Sequence, residues 1–289
     1  MARKFVTLDV FTHTRFAGNP LAIVLEPDGL EKDAMQRIAR EFNLPETVFV
    51  FPPKDPANRA RLRIFTPANE LPFAGHPTVG AAVFLGMGKA RSQIVLEEEV
   101  GLIACAVETV DAGKGRAQFK LPRLPEKSAT APDAATTART LGLTEADLAD
   151  APSRWSAGLE FTFVPLRGLD AMARAKPQGD FDALIGNGGP GRAFLFCKET
   201  AERHDFHARM FAPGMGIPED PATGSAAAAF AGIAAAGRAD GAHALVIEQG
   251  YEMKRPSLIE LGFTIDKGKL TAATIGGYAV TVSEGAIDA

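Results

Sequence analysis

Cysteine is nearly absent from this sequence of 289 residues, with Cys105 and Cys197 the only two. Two thiols make neither a disulfide framework nor a four-ligand zinc site. A basic excess is also missing: 31 Lys and Arg stand against 35 Asp and Glu, a net charge of −4. Proteins that hold nucleic acid or an anionic membrane carry a positive balance, so neither partner is expected. No apolar run reaches the roughly 20 residues of a membrane-spanning helix. The longest near-apolar stretch, 226–237, is short and rich in Ala and Gly. Residues 1–9 have a basic start but no apolar segment of at least about 7 residues, because Thr7 and Asp9 interrupt it. A cytoplasmic protein is expected.

What is present is an ordinary globular composition, 46% hydrophobic and 23% charged, which excludes a disordered chain. The length suits two domains of about 100–150 residues each. Residues 4–10, 21–25, 47–51 and 61–65 read as strands, and 31–42 has helical spacing. Residues 78–87 form an apolar helix opened by Pro77, since proline suits the first helical turn. Residues 92–97, 101–108 and 116–121 resemble a meander. Residues 122–137, rich in Pro, Ala, Ser and Thr and without periodicity, make the linker candidate. Residues 144–148 open with helix-capping chemistry. Strands follow at 160–165, 193–197 and 206–211, then an Ala-rich helix at 225–238. Strands at 242–249, 257–264, 270–275 and 278–282 close the chain.

The halves repeat each other. Glu70-Leu-Pro-Phe-Ala-Gly75-His76 aligns with Glu219-Asp-Pro-Ala-Thr-Gly224-Ser225, and Phe65-Thr-Pro67 with Phe211-Ala-Pro213. In each half a strand leads through a Pro/Gly loop into a helix apolar nearly all round, then into further strands. Such a helix is buried on all sides. The sequence therefore implies an α+β protein of two similar domains, each wrapping strands round a central helix.

A helix N-terminus presents unpaired N–H groups and about half a positive charge. Gly75-His76 and Gly224-Ser225 put two such ends at equivalent places. If the halves face each other across a pseudo-twofold axis, both ends point into one cleft and hold a carboxylate or a developing enolate. His76 is a proton carrier or a neutral hydrogen-bonding ring, its pKa lowered by the helix start. Asp220 orients a substrate amine or the histidine, or is an ordinary turn aspartate before Pro221. Glu46 stands where a helix ends and an apolar strand begins; it is a turn glutamate or, against an apolar wall, an acid and base.

Other candidates are weaker. His204 and His207, three apart on an expected strand, should point to opposite faces, and no third ligand is near, so no metal is expected. Cys105 and Cys197 fit small core residues. The Gly-rich run 186–191 precedes no expected helix and reads as a mobile turn rather than a phosphate loop.

Six segments in order resemble the PhzF family of phenazine-biosynthesis proteins, which shares the diaminopimelate-epimerase-like fold. They are Phe16-Ala-Gly-Asn-Pro20, Asn43-Leu-Pro-Glu-Thr47, Arg63-Ile-Phe-Thr-Pro67, Glu70-Leu-Pro-Phe-Ala-Gly-His-Pro-Thr78, Glu219-Asp-Pro-Ala-Thr-Gly-Ser225 and residues 249–257. The resemblance runs along essentially the whole chain. It implies two pseudo-twofold-related domains, each a β-barrel-like sheet round a central helix, with the active site in the cleft between them. Their expected bounds are 1–122, completed by a strand within 276–289, and 130–275. It also implies a homodimer, no cofactor and no metal.

The resemblance further implies an isomerase acting on a small unsaturated carboxylate like trans-2,3-dihydro-3-hydroxyanthranilate. Glu46 matches the family's proton-shuttling glutamate, and His76 and Asp220 match the groups that assist it. Ser225 matches a substrate-contacting serine, and Gly75, Thr223 and Gly224 lie at the helix starts with it. Pro45, Lys254 and Pro221 depart from the phenazine enzyme; Lys254 stands where the family usually has glycine. A cofactor-independent epimerase or racemase, or a non-catalytic metabolite-binding dimer, are the rival readings. A two-thiol racemase mechanism is not available, because neither cysteine lies at a helix start.

Overall fold

A computed structural model describes residues 2–289. The chain divides into two compact units, Met1–Pro122 with Gly276–Ala289, and Arg123–Ile275.

The first unit is a closed eight-stranded barrel. Ala2–Val10 pairs antiparallel with Asn19–Leu25, which runs parallel to Glu46–Phe51. That strand pairs antiparallel with Ala60–Phe65, which runs parallel to Arg91–Glu98. Gly101–Asp111 and Lys114–Lys120 follow as an antiparallel meander. The end of Lys269–Asp288 pairs with both Lys114–Lys120 and Ala2–Val10 and closes the ring. Closure pairs the first and last strands of the ring with each other, while Ala60–Phe65 and Arg91–Glu98 meet only through Ala60 with Leu96 and Arg61 with Glu97.

Helix α1, Lys32–Phe42, is amphipathic and sets Met35, Ile38 and Ala39 against Val24, Phe49 and Phe65. Helix α2, Gly75–Gly86, is buried along most of its length. Its glycines permit the close approach: a Cβ on Gly80 would meet Leu21 Cδ2 at 2.6 Å and Val10 Cγ2 at 2.8 Å.

The second unit repeats the pairing order. Ser153–Ser156 runs antiparallel to Glu160–Pro165, which is parallel to Ala193–Cys197. Ala193–Cys197 is antiparallel to Phe206–Ala212, and Phe206–Ala212 is parallel to Gly241–Gln249. Ser257–Asp266 pairs antiparallel with Gly241–Gln249. Helices α3, Ala134–Thr140, α4, Leu169–Arg174, and α5, Phe181–Ile185, flank this sheet. Helix α6, Gly224–Ala235, is the counterpart of α2, with Phe163, Phe194, Phe196 and Phe206 packed round Phe230.

Three expectations change. The supposed linker holds α3, whose start is capped by Asp133: its Oδ1 accepts the Thr136 N–H at 2.8 Å. The closing strands 270–275 and 278–282 are one continuous strand, because nothing between them breaks extended backbone. The central helices begin at Gly75 and Gly224, a little before the expected 78 and 225. Among the described residues no helix is long and apolar enough to cross a membrane.

Candidate active site

In the first unit, Glu46 and His76 come together at the start of α2. Glu46 opens its strand in register with Leu21, and His76 is the second residue of the helix. Glu46 Oε2 lies 3.4 Å from His76 Nδ1, longer than an ordinary hydrogen bond of about 2.7–3.2 Å. The ring is 4% exposed. Burial pushes its pKa down to about 3, against a smaller upward pull from a hydrogen bond to the Pro20 carbonyl. The imidazole is therefore neutral near pH 7. Among the described residues Nε2 is buried with no hydrogen-bond partner, so the bond to Pro20 belongs to Nδ1. The ring proton sits there, and Nε2 presents a lone pair.

The Phe16–Pro20 segment has a backbone reason for its glycine. Gly18 has φ +64°, and a Cβ there would lie 2.4 Å from the Val10 carbonyl oxygen. Only glycine lets the chain pass that strand and bring Pro20 to His76. Gly75 starts α2, and the first backbone bond at that end runs from Thr78 N–H to the Ala74 carbonyl at 3.2 Å. The Gly75 and His76 amides precede it, at the end of the helix that favours negative charge.

In the second unit, Asp220, Thr223 and Gly224 gather at the start of α6. Asp220 ends the strand Ile217–Asp220 and is 7% exposed. Thr223 is the N-cap and donates its hydroxyl to Asp220 Oδ2 at 2.6 Å. Gly224 opens the helix buried, and Ser225 follows half-buried. The loop after Gly241–Gln249 packs here as well. Gly250, at φ +78°, leaves room for a Cβ only 2.6 Å from the Pro221 carbonyl oxygen. Lys254 has φ +58°, a conformation in which glycine is the unstrained residue.

Sequence reasoning passed over Thr47, Thr78, Glu98 and Gln249. Thr47 Oγ1, beside Glu46, is buried without a partner among the described residues. Thr78 and Glu98 touch at 2.8 Å behind the start of α2, and Gln249 bonds to Thr223. Thr47, Thr78 and Gln249 had a signal, through the matching segments, and Glu98 had none.

His204 and His207 do not point apart, because His204 lies in the bend before the strand Phe206–Ala212. Their Nδ1 atoms reach the same Glu248 carboxylate, at 2.7 and 3.0 Å. His207 Nε2 reaches Glu252 at 3.1 Å. Cys105 and Cys197 are buried, and burial pushes both thiols up to about 12. The 186–191 turn is tied down by Arg154, which donates to the Ile185 and Gly186 carbonyls at 2.9 and 2.8 Å.

A family model described as phenazine biosynthesis-like protein matches residues 8–285. An uncharacterized isomerase of Mesorhizobium japonicum is 46% identical over 296 residues, spanning 98% of each chain. The trans-2,3-dihydro-3-hydroxyanthranilate isomerase of Pseudomonas fluorescens is 35% identical over 98% of this chain and 99% of its own length. The crystal structure of a PhzF-family phenazine biosynthesis protein from Bacillus anthracis superposes with a TM-score of 0.90 at 28% identity, covering both chains entirely.

Proposed function

This chain belongs to the phenazine biosynthesis-like (PhzC-PhzF) family and is an isomerase, and we propose that it moves a proton between two carbons of a small unsaturated carboxylate through Glu46. The observation that carries this reading is the approach of Glu46 Oε2 to His76 Nδ1 at 3.4 Å, beside a neutral ring whose Nε2 has no partner among the described residues. An imidazole with a pKa near 3 is too weak a base to hold a proton at neutral pH. The proton carrier in this arrangement is the carboxylate.

In the proposed step, ionised Glu46 takes a proton from a carbon acidified by conjugation. The electron pair left behind spreads through the unsaturated system, and the amides at the start of α2 stabilise it. Neutral Glu46 then returns the proton at another carbon of the same system. His76 Nε2 accepts a hydrogen bond from a substrate N–H or O–H and fixes its place. Asp220 is assigned the substrate's amino group. Atoms and electrons balance within the substrate, so the reaction draws on no cofactor.

The test uses trans-2,3-dihydro-3-hydroxyanthranilate in deuterated water, followed by NMR. Wild type is expected to isomerise it with deuterium incorporation, and Glu46→Gln to lose at least about 1000-fold in rate, within the range for removing a general acid–base. Exchange that survives in Glu46→Gln would remove Glu46 from the role.

A further inference from the structure

Residues 249–257 match the family, yet no role in the chemistry has fallen to them so far. Their first residue, Gln249, is fully buried at the end of the strand Gly241–Gln249. Its carboxamide makes three hydrogen bonds. Oε1 accepts the Thr223 N–H at 3.0 Å. Nε2 donates to the Asp220 carbonyl at 2.7 Å and to Thr223 Oγ1 at 3.0 Å. The Thr223 hydroxyl, receiving that donor, passes its own hydrogen to Asp220 Oδ2 at 2.6 Å. Only the oxygen end of an amide can accept an N–H, so Thr223 fixes which way Gln249 faces. The whole ring then has one polarity, and it ends on a carboxylate oxygen.

The first unit carries the same device. Glu97 and Glu248 each accept two successive backbone N–H groups, from Lys54 and Asp55 and from Ala201 and Glu202. The residue that follows each of them turns inward to a threonine at the start of the central helix: Glu98 to Thr78, and Gln249 to Thr223. A contact made twice in a duplicated unit, each time at the helix start that bears a candidate residue, serves that helix start.

We infer that Gln249 is a positioning residue for Asp220, acting through Thr223 to set the direction of the Asp220 carboxylate at the start of α6. The inference rests on the assignment of Asp220 to the substrate. Several charged side chains on the neighbouring segments are engaged with one another. Arg209 holds Glu219 through two hydrogen bonds of 2.8 Å. His204 and His207 hold Glu248, and His207 also holds Glu252. Lys254 and Arg255 lie on the loop whose Gly250 packs on Pro221. Thr223 reaches the Asp220 carboxylate and Gln249 its carbonyl, and neither carries a charge.

The experiment follows the Asp220 carboxyl by carbon NMR as pH is varied, the signal being identified by its loss in Asp220→Asn. A hydroxyl donor favours the ionised form, so its midpoint should rise by about half a unit or more in Gln249→Met and in Thr223→Val. The double variant should rise no further than either single one, and Thr223→Ser, which keeps the hydroxyl, should stay at the wild-type midpoint. A midpoint unmoved in Gln249→Met overturns the inference. Should that variant not fold, the wild type decides. Its Gln249 side-chain N–H protons are expected to exchange at least about 100-fold more slowly than exposed carboxamides, and ordinary exchange overturns the inference. On trans-2,3-dihydro-3-hydroxyanthranilate, Gln249→Met should raise KM about tenfold with kcat changed less than about threefold, the mark of lost binding rather than lost chemistry. Glu46→Gln should lose turnover without moving the Asp220 midpoint. If it keeps turnover, the Glu46 reading fails while the titration still decides Gln249.

Discussion

Thr78 Oγ1 lies 2.8 Å from the Ala74 carbonyl and 2.8 Å from Glu98 Oε1. A hydroxyl has one hydrogen, and the carbonyl can only accept it. The contact with Glu98 Oε1 draws on that same single hydrogen, so the hydroxyl satisfies the carboxyl only in part. The second carboxyl oxygen, Oε2, is buried without a partner among the described residues, an arrangement that penalises the ionised form. Burial raises the Glu98 pKa from 4.5 to about 8, against a smaller downward pull from Thr78. Glu98 is a neutral acid at the back of α2.

Stability should therefore fall with rising pH on account of Glu98. Between about 4.5 and about 8 the folded state keeps a proton that the unfolded state has released, so each pH unit removes up to about 1.4 kcal/mol. Glu98→Gln keeps a donor and cannot ionise. In urea titrations from pH 5 to 9, the variant should gain on wild type up to about pH 8 and run parallel above it. Parallel curves throughout would mean Glu98 is ionised in the fold.

His207 should titrate above its ordinary value. Burial would lower its pKa, but hydrogen bonds to Glu252 and Glu248 outweigh it and raise it above 6.5. Only the imidazolium can donate from both nitrogens to both carboxylates. Its contribution is complete below pH 6.5 and is lost as pH rises through the folded value. Proton NMR of the ring should give a midpoint above 6.5, and His207→Gln should flatten this part of the stability profile. A midpoint at or below 6.5 would show the ring to be neutral.

The ion pairs that mark the duplication should differ in strength. Arg63 holds Glu70 at 2.6 and 2.9 Å, as Arg209 holds Glu219. Arg209 is the more buried and also donates to the Met172 and Ala175 carbonyls at the end of α4, at 2.7 and 3.0 Å. Glu219→Gln strips the charge partner from a buried guanidinium and should cost about 3 kcal/mol. Glu70→Gln, in a wetter pair, should cost about 1 kcal/mol. Denaturant midpoints of the two variants check the order, and equal losses would contradict it.

Gly18 should tolerate no side chain. Gly18→Ala meets both a left-handed backbone and the Val10 carbonyl at 2.4 Å, and should cost more than about 2 kcal/mol. Gly88, at φ +106° with nothing within 4 Å, isolates the backbone part of that cost. The difference between the two alanine variants, read by thermal melting, measures the clash alone.

The barrel strands and the two central helices were legible because their signals are local: period-two alternation, and helices apolar on every face. The Glu70 and Glu219 segments revealed the duplication because the same ion pair and the same helix start need the same residues twice. Helix α3 was hidden in a Pro- and Ala-rich stretch, its one cue being Asp133 three residues before Thr136. The meeting of His204 and His207 was misread because a bend, invisible to strand periodicity, precedes the second histidine. No spacing joins Glu46 to His76 or Gln249 to Thr223; those contacts exist only once the sheet has brought distant segments together.

The strand Lys269–Asp288 carries a consequence for how the molecule is made. Its last part closes the first barrel against Ala2–Val10 and Lys114–Lys120, yet it follows the whole of Arg123–Ile275 in the chain. During synthesis the earlier segments must wait with an open seam while the second unit, continuous in sequence, has all its parts at hand. The unit that begins first is completed last, and a ribosome stalled before residue 276 would carry an open barrel lacking its closing strand, with two strand edges exposed to whatever else is in the cell.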